Sequence, residues 1–140
     1  MKIKNLVLLL TILLITGCAN QTDIKARGEG DYWQIEMKYV LANDSQEDSG
    51  TIRYNGNEPL KHLRYEFNYP SELGIGHSGE WSGIESERKL FNTGRSSEIN
   101  PSYPLDNDKF IDAINNTTVL IIWETETGEE YEEIISLSSN

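Results

Sequence analysis

Leu63-Arg64-Tyr65-Glu66-Phe67-Asn68-Tyr69 alternates large apolar or aromatic residues with polar ones without a break. Successive side chains of an extended chain point to opposite faces, so Leu63, Tyr65, Phe67 and Tyr69 share one face and the polar residues share the other. The pattern predicts a half-buried strand, ended by Pro70, which has no backbone N–H to give to a ladder.

Toward the N-terminus the same period returns, with Trp33, Ile35, Met37, Tyr39 and Leu41 alternating with Gln34, Glu36, Lys38 and Val40. This predicts a long second strand. Asn43 to Gly50 is polar and acidic and reads as a connection. Thr51 to Tyr54 then resumes with Ile52 and Tyr54 on one face, and Asn55-Gly56-Asn57 supplies a turn. Toward the C-terminus, Ser71 to Pro104 is interrupted by glycines at 74, 76, 79, 83 and 94 and predicts short strands joined by loops. Asp106 and Asp108 precede Phe110, Ile111 and Ile114, a capping and apolar spacing that predicts one short helix near 106–115. Thr118 to Trp123 and Tyr131 to Leu137 predict a terminal hairpin joined by Thr125 to Glu130, with Gly128 in the turn. Many strands at short spacing, without alternating βα units, point to a mainly β protein. The expected architecture is an immunoglobulin-like antiparallel β-sandwich with Trp33, Tyr65, Phe67 and Trp123 in its core.

The first residues carry a different signal. Lys2 and Lys4 precede a ten-residue apolar run, Leu6 to Ile15, broken only by Thr11. A spanning helix needs about 20 apolar residues, so this run has the length of a secretory signal peptide. It ends in Ile15-Thr16-Gly17-Cys18, which resembles the lipobox of bacterial lipoproteins. That resemblance implies cleavage between Gly17 and Cys18 and acylation of the Cys18 thiol, a multi-chain (palmitate-type) anchor that holds far better than one chain. The expected organisation is a signal peptide at 1–17, a lipidated polar tether at 18–30, and a single β-sandwich domain at 31–140. Its expected location is the extracytoplasmic face of the cell membrane.

Cys18 is the only cysteine, so an exported domain has no internal disulfide and must fold on its apolar core. Cleavage leaves 123 of 140 residues, enough for one such core. It also removes two lysines and no acid, which takes the net charge from −11 to −13. A surface that acidic disfavours nucleic acid as a partner, because the phosphate backbone demands cationic side chains.

Gly74-Ile75-Gly76-His77-Ser78-Gly79-Glu80-Trp81-Ser82-Gly83 is the stretch that invites a chemical reading. His77, Glu80 and Trp81 in a glycine-rich segment form a candidate binding loop. The plainer reading is a flexible connection between strands: His62 is the only other histidine, and a zinc site takes three or four converging ligands. No metal and no cofactor is expected. The Asp44 to Asn55 stretch departs from a calcium loop at its third and twelfth positions, which hold Gln46 and Asn55. The glutamates around the last hairpin read as solvated charge guarding a strand edge. With the sole cysteine at the acylation site and no Gly-x-Ser-x-Gly elbow, no catalytic residue is expected and enzymatic activity is the least favoured class.

The lipobox, the Gly28-Glu29-Gly30-x-x-Trp33 entry to a strand, Gly50-Thr51-Ile52 followed by Tyr54-x-Gly56, and the Val119 to Leu137 hairpin together resemble small lipoproteins of low-GC Gram-positive bacteria such as bacilli. The resemblance implies an exported, membrane-anchored β-domain and supplies no catalytic residue. Three functions follow as expectations. The first is a module that binds another envelope protein. The alternatives are a small-ligand or metal-ion binding lipoprotein, and an immunity-type lipoprotein that occupies an exported toxin or hydrolase.

Overall fold

The computed structural model describes residues 21–42, 45–99 and 106–140. The strand that decides the fold, β4 (Leu60–Asn68), buries Leu63, Tyr65 and Phe67 and stops before Pro70. It lies between β5 (His77–Ser82) and β7 (Thr118–Thr125), and β8 (Glu130–Ser136) completes a four-stranded antiparallel sheet in the order β5-β4-β7-β8. The second sheet joins β1 (Thr22–Glu29), β2 (Trp33–Leu41), β3 (Ser45–Tyr54), β6 (Leu90–Ile99) and the short β9 (Ser138–Ser139) in the order β6-β3-β2-β1-β9.

The chain changes sheet between β3 and β4, between β5 and β6, between β6 and β7, and again between β8 and β9. It thereby returns β6 to the side of β3 and β7 to the side of β4. These interlocked Greek-key returns are those of an immunoglobulin-like sandwich, and they bring the two inner faces together. Ile35, Tyr39 and Ile52 from one sheet meet Leu63, Phe67, Val119 and Ile121 from the other, all within the core. Trp33, at 0% exposure, is the hub of the aromatic end, in ring contact with Tyr54, Phe91 and Trp123.

The predicted helix is α1 (Asn107–Asn115), capped by the Asp106 carboxylate accepting from the Asp108 N–H at 2.9 Å. It buries Phe110, Ala113 and Ile114 and closes one end of the sandwich, where Phe110 meets Tyr39 edge-on. The terminal hairpin turns through Gly128, whose φ of 85° is a conformation in which a Cβ is strained.

Two expectations about loops and linkers are corrected. The tether expected at 18–30 is in its larger part β1, paired residue for residue with β2 from Thr22↔Leu41 to Glu29↔Gln34. Its inward positions are Ile24, Ala26 and Gly28, and the last two are too small to register as apolar alternation. They are small because β8 and its continuation lie against them: a Cβ on Gly28 would run into Ile135 Cγ2. Residues 22–29 therefore belong to the folded sheet and not to a tether. The acidic connection expected at 43–50 is from Ser45 onward the first half of β3, paired with both β2 and β6. Its side chains are polar, so period two carries no hydropathy signal there, and the ladder itself supplies the order.

Gly50 sits at the one point where β3 and β6 lose register. Pairing passes from Ser49↔Arg95 to Thr51↔Asn92, so β6 carries an extra residue, and Gly94 adopts a φ of 82°. A Cβ on Gly50 would overlap Met37 Sδ and the Glu36 carbonyl oxygen of β2. Gly50→Ala is expected to destabilise by about 1–3 kcal/mol, the usual cost of overpacking. Gly76→Ala, with open space around its would-be Cβ, is the matched control. Urea midpoints check this, and equal midpoints for the two variants would refute a close approach at Gly50.

Candidate functional site

The end of the sandwich opposite α1 carries a cleft of about 210 Å³ lined by Tyr32, Tyr54, Asn57, Glu58, Trp123 and Tyr131. Each wall has a local cause. Trp123 and Tyr131 are directly opposed across the β7–β8 ladder and so share one face, with their rings stacked at 5.5 Å and 24°. Trp123 is buried against Trp33, and Tyr131, on the edge strand, stays 41% exposed. Tyr32 precedes β2 and is 50% exposed; its ring lies 5.6 Å from Trp123 at 48°. The backbone N–H groups of Asp31 and Tyr32 both donate to the Glu133 carboxylate of β8, which holds this corner in place. Tyr54 ends β3, pairs with Trp33, and is followed by the turn that carries Asn57 and Glu58. That turn is pinned from two sides, by Asn55 N–H to the Tyr32 carbonyl at 2.7 Å and Glu126 N–H to the Pro59 carbonyl at 3.0 Å.

The electrostatics of the cleft are acidic. Burial, then the Glu58 carboxylate, raises the Tyr54 phenol above its ordinary value. The Tyr131 hydroxyl donates to Glu129 at 3.0 Å, and that bond, with the nearby charges of Glu129 and Glu58, raises it likewise. Both phenols therefore present neutral rings at physiological pH. The nearest cation is Lys89, whose ammonium lies 5.4 Å from the Tyr54 ring centroid and donates to the Gly56 carbonyl.

The residues singled out from the sequence lie elsewhere, and the glycine-rich stretch is strand rather than loop from His77 to Ser82. His77, Glu80 and Trp81 are on β5, where period two divides them: His77 and Trp81 face the core and Glu80 faces solvent. Trp81 stacks on Tyr65 at 5.3 Å and meets Phe91 at 5.2 Å. Glu80 pairs across the sheet with His62 at 2.7 Å. The three do not converge on a common ligand. Among the described residues, no group of three or more His, Cys, Asp and Glu side chains converges on a point that could hold a metal ion. Gly17 and Cys18 lie outside the described residues.

His77, at 8% exposure, joins the two sheets instead. Its Nδ1 lies 3.0 Å from the carboxylate of Asp48, itself 3% exposed on β3, and its Nε2 lies 2.8 Å from the Thr93 carbonyl of β6. A carbonyl only accepts, so Nε2 carries a proton; when His77 is protonated, Nδ1 donates to the Asp48 carboxylate as well and the two form a buried ion pair. Burial lowers the His77 pKa, but the bonds to Asp48 and Thr93 outweigh it and the net shift is upward. The bulge around Gly94 matters here, because it turns the Thr93 carbonyl into the core, where Tyr65 also donates to it at 3.0 Å. With both nitrogens engaged, His77 is a structural ion-pair partner and has no lone pair to offer a ligand.

The cleft residues were not singled out from the sequence. Tyr32 stands outside any alternating run, and Trp123 and Tyr131 are eight residues apart, with nothing along the chain to say that they oppose each other. The available signal was the hairpin itself, since a turn at Thr125 to Glu130 sets Trp123 against Tyr131 once the register is chosen. No protein-family model matches the chain, and no curated protein matches it.

Proposed function

We propose that the chain is an extracytoplasmic lipoprotein, anchored through Cys18, whose sandwich presents the aromatic cleft to another protein of the cell envelope. The observation that carries this reading is the polarity of β1. Thr22 lies at the α1 end and pairs with Leu41, whereas Glu29 pairs with Gln34, beside Trp33, at the cleft end. Only Ala19, Asn20 and Gln21 separate Cys18 from β1, so an anchor there holds the α1 end near the bilayer. At roughly 3.3 Å per residue, β1 then carries the chain about 23 Å away from it, to the cleft. The cleft faces outward, where an envelope partner meets it. Exposed tyrosines over a buried tryptophan supply the aromatic anchors that dominate protein interfaces.

The test is acylation and capture in one experiment. Cells fed an alkyne palmitate analogue and expressing the tagged full chain are crosslinked, solubilised and compared with a Cys18→Ala form. Label and membrane retention are expected only with Cys18, together with a crosslinked partner that Tyr131→Ala removes. Equal labelling of both forms would sink the anchor, and a partner indifferent to Tyr131→Ala would sink the cleft as the docking surface.

A further inference from the structure

We infer that the cleft is a receptor for a cationic side chain, the guanidinium of an arginine or the ammonium of a lysine, presented by the partner protein; this rests on the binding-module reading above. The volume argues first. About 210 Å³ falls below the roughly 300–1,000 Å³ of pockets that enclose whole small molecules, and suits one side chain of a larger partner.

The walls argue second. Tyr54 and Trp123 lie 6.4 Å apart at 58°, and Tyr32 and Trp123 lie 5.6 Å apart at 48°, so the rings lining the cleft are inclined to one another. Rings inclined in this way offer a compact cation negative quadrupole density from more than one direction. A sugar ring calls for an open aromatic face and several polar partners, whereas here Trp123 is covered by the stacked Tyr131 ring and the polar lining is Asn57 and Glu58.

Charge argues third. The lining holds the Glu58 carboxylate and the Asn57 amide and no cationic residue. Glu129 stands behind the Tyr131 hydroxyl. Lys89 is held on the Tyr54 ring and the Gly56 carbonyl, and Lys61 is paired with Glu124 at 2.6 Å. Lys89 shows that this aromatic cluster already accommodates an ammonium ion on one of its rings. The net charge of −11 adds a field that draws cations to the surface.

The test uses the full chain in a non-ionic detergent, reading the indole N–H resonances of its tryptophans by NMR. The probes are N-acetylarginine amide, its neutral analogue N-acetylcitrulline amide, and methyl glucoside. The arginine probe is expected to shift the Trp123 indole saturably, to bind at least about fivefold more tightly than the citrulline probe, and to weaken with added salt. Glu58→Gln and Tyr131→Leu, both at exposed positions, should each weaken it about fivefold while leaving the Trp33 and Trp81 resonances in place. Equal binding of the citrulline probe, preference for the glucoside, or no saturable shift would each overturn the inference. Arginine binding without a crosslinked partner in cells would leave the cation site standing and remove the protein partner. A partner captured through Tyr131 but unaffected by Glu58→Gln, with no arginine binding, would do the reverse.

Discussion

Asp48→Ala is expected to destabilise the domain by about 3–5 kcal/mol, the cost of leaving one member of a buried ion pair uncompensated. A protonated His77 would then keep its bond to the Thr93 carbonyl and lose its counter-charge within a core that also holds Tyr39, Tyr65 and Phe67. Replacing both members together, Asp48→Leu with His77→Phe, removes the charges along with their desolvation and should recover most of the loss. The pair therefore reads as a device that keeps the two sheets in one relative position, fastening β5 to β3 and β6, more than as a source of net stability. Urea unfolding of the three forms checks this. A single variant as stable as the wild type would show that the pair is not buried as described.

The same pair sets a pH dependence whose sign follows from His77. Its folded pKa is raised above the ordinary 6.5, so the folded state holds the proton more tightly than the unfolded chain does. The corresponding stability is complete below about pH 6.5 and is lost as pH rises through the folded value. Measured against the doubly apolar variant as reference, the wild type should lose relative stability between pH 6 and pH 9. A flat difference across that window would mean that folding does not raise the His77 pKa.

Trp33→Ala is the second large effect, expected at about 3–5 kcal/mol for truncating a fully buried aromatic side chain. Trp33 touches Tyr54, Phe91 and Trp123, so the cavity opens beneath the cleft as well as in the core. The expected result has two parts, a large drop in urea midpoint and a displaced Trp123 indole resonance. Trp33→Phe separates size from polarity. The Trp33 Nε1 is buried without a hydrogen-bond partner among the described residues. An unpaired buried donor costs roughly 1–3 kcal/mol, so removing it offsets part of the lost volume. Phenylalanine should therefore cost well under half of what alanine does. Similar losses for the two would show that the volume phenylalanine retains does not support the site and that the indole itself is required.

Much of the sandwich was legible along the chain because its inner residues are large. Trp33 to Leu41 and Leu63 to Tyr69 advertise their strands through side chains that bury on one face only, and α1 announces itself through Asp106 and the spacing of Phe110 and Ile114. Strands built on small or polar inner residues were not legible. In β1 the inward Ala26 and Gly28 leave room for Ile135 and Leu137, and in the first half of β3 the buried residue is Asp48. Hydropathy cannot see such strands, because what makes them fit is supplied by another strand far along the chain.

The sequence by itself determined the β class, the helix α1, the presence of the last hairpin and a net acidic charge, since each follows from local period, capping, turn chemistry or charge. Tertiary structure alone decided what the conspicuous residues do. Pairing of β5 with β4 turned His77 inward and Glu80 outward, and the crossing from β5 to β6 set the Thr93 carbonyl against the His77 ring. Pairing of β7 with β8, and the return of Tyr54 beside Trp33, gathered four aromatic residues from distant positions around one cleft. Such a site depends on register and sheet packing, and those are properties of partners brought together by the fold, which no single stretch of chain contains.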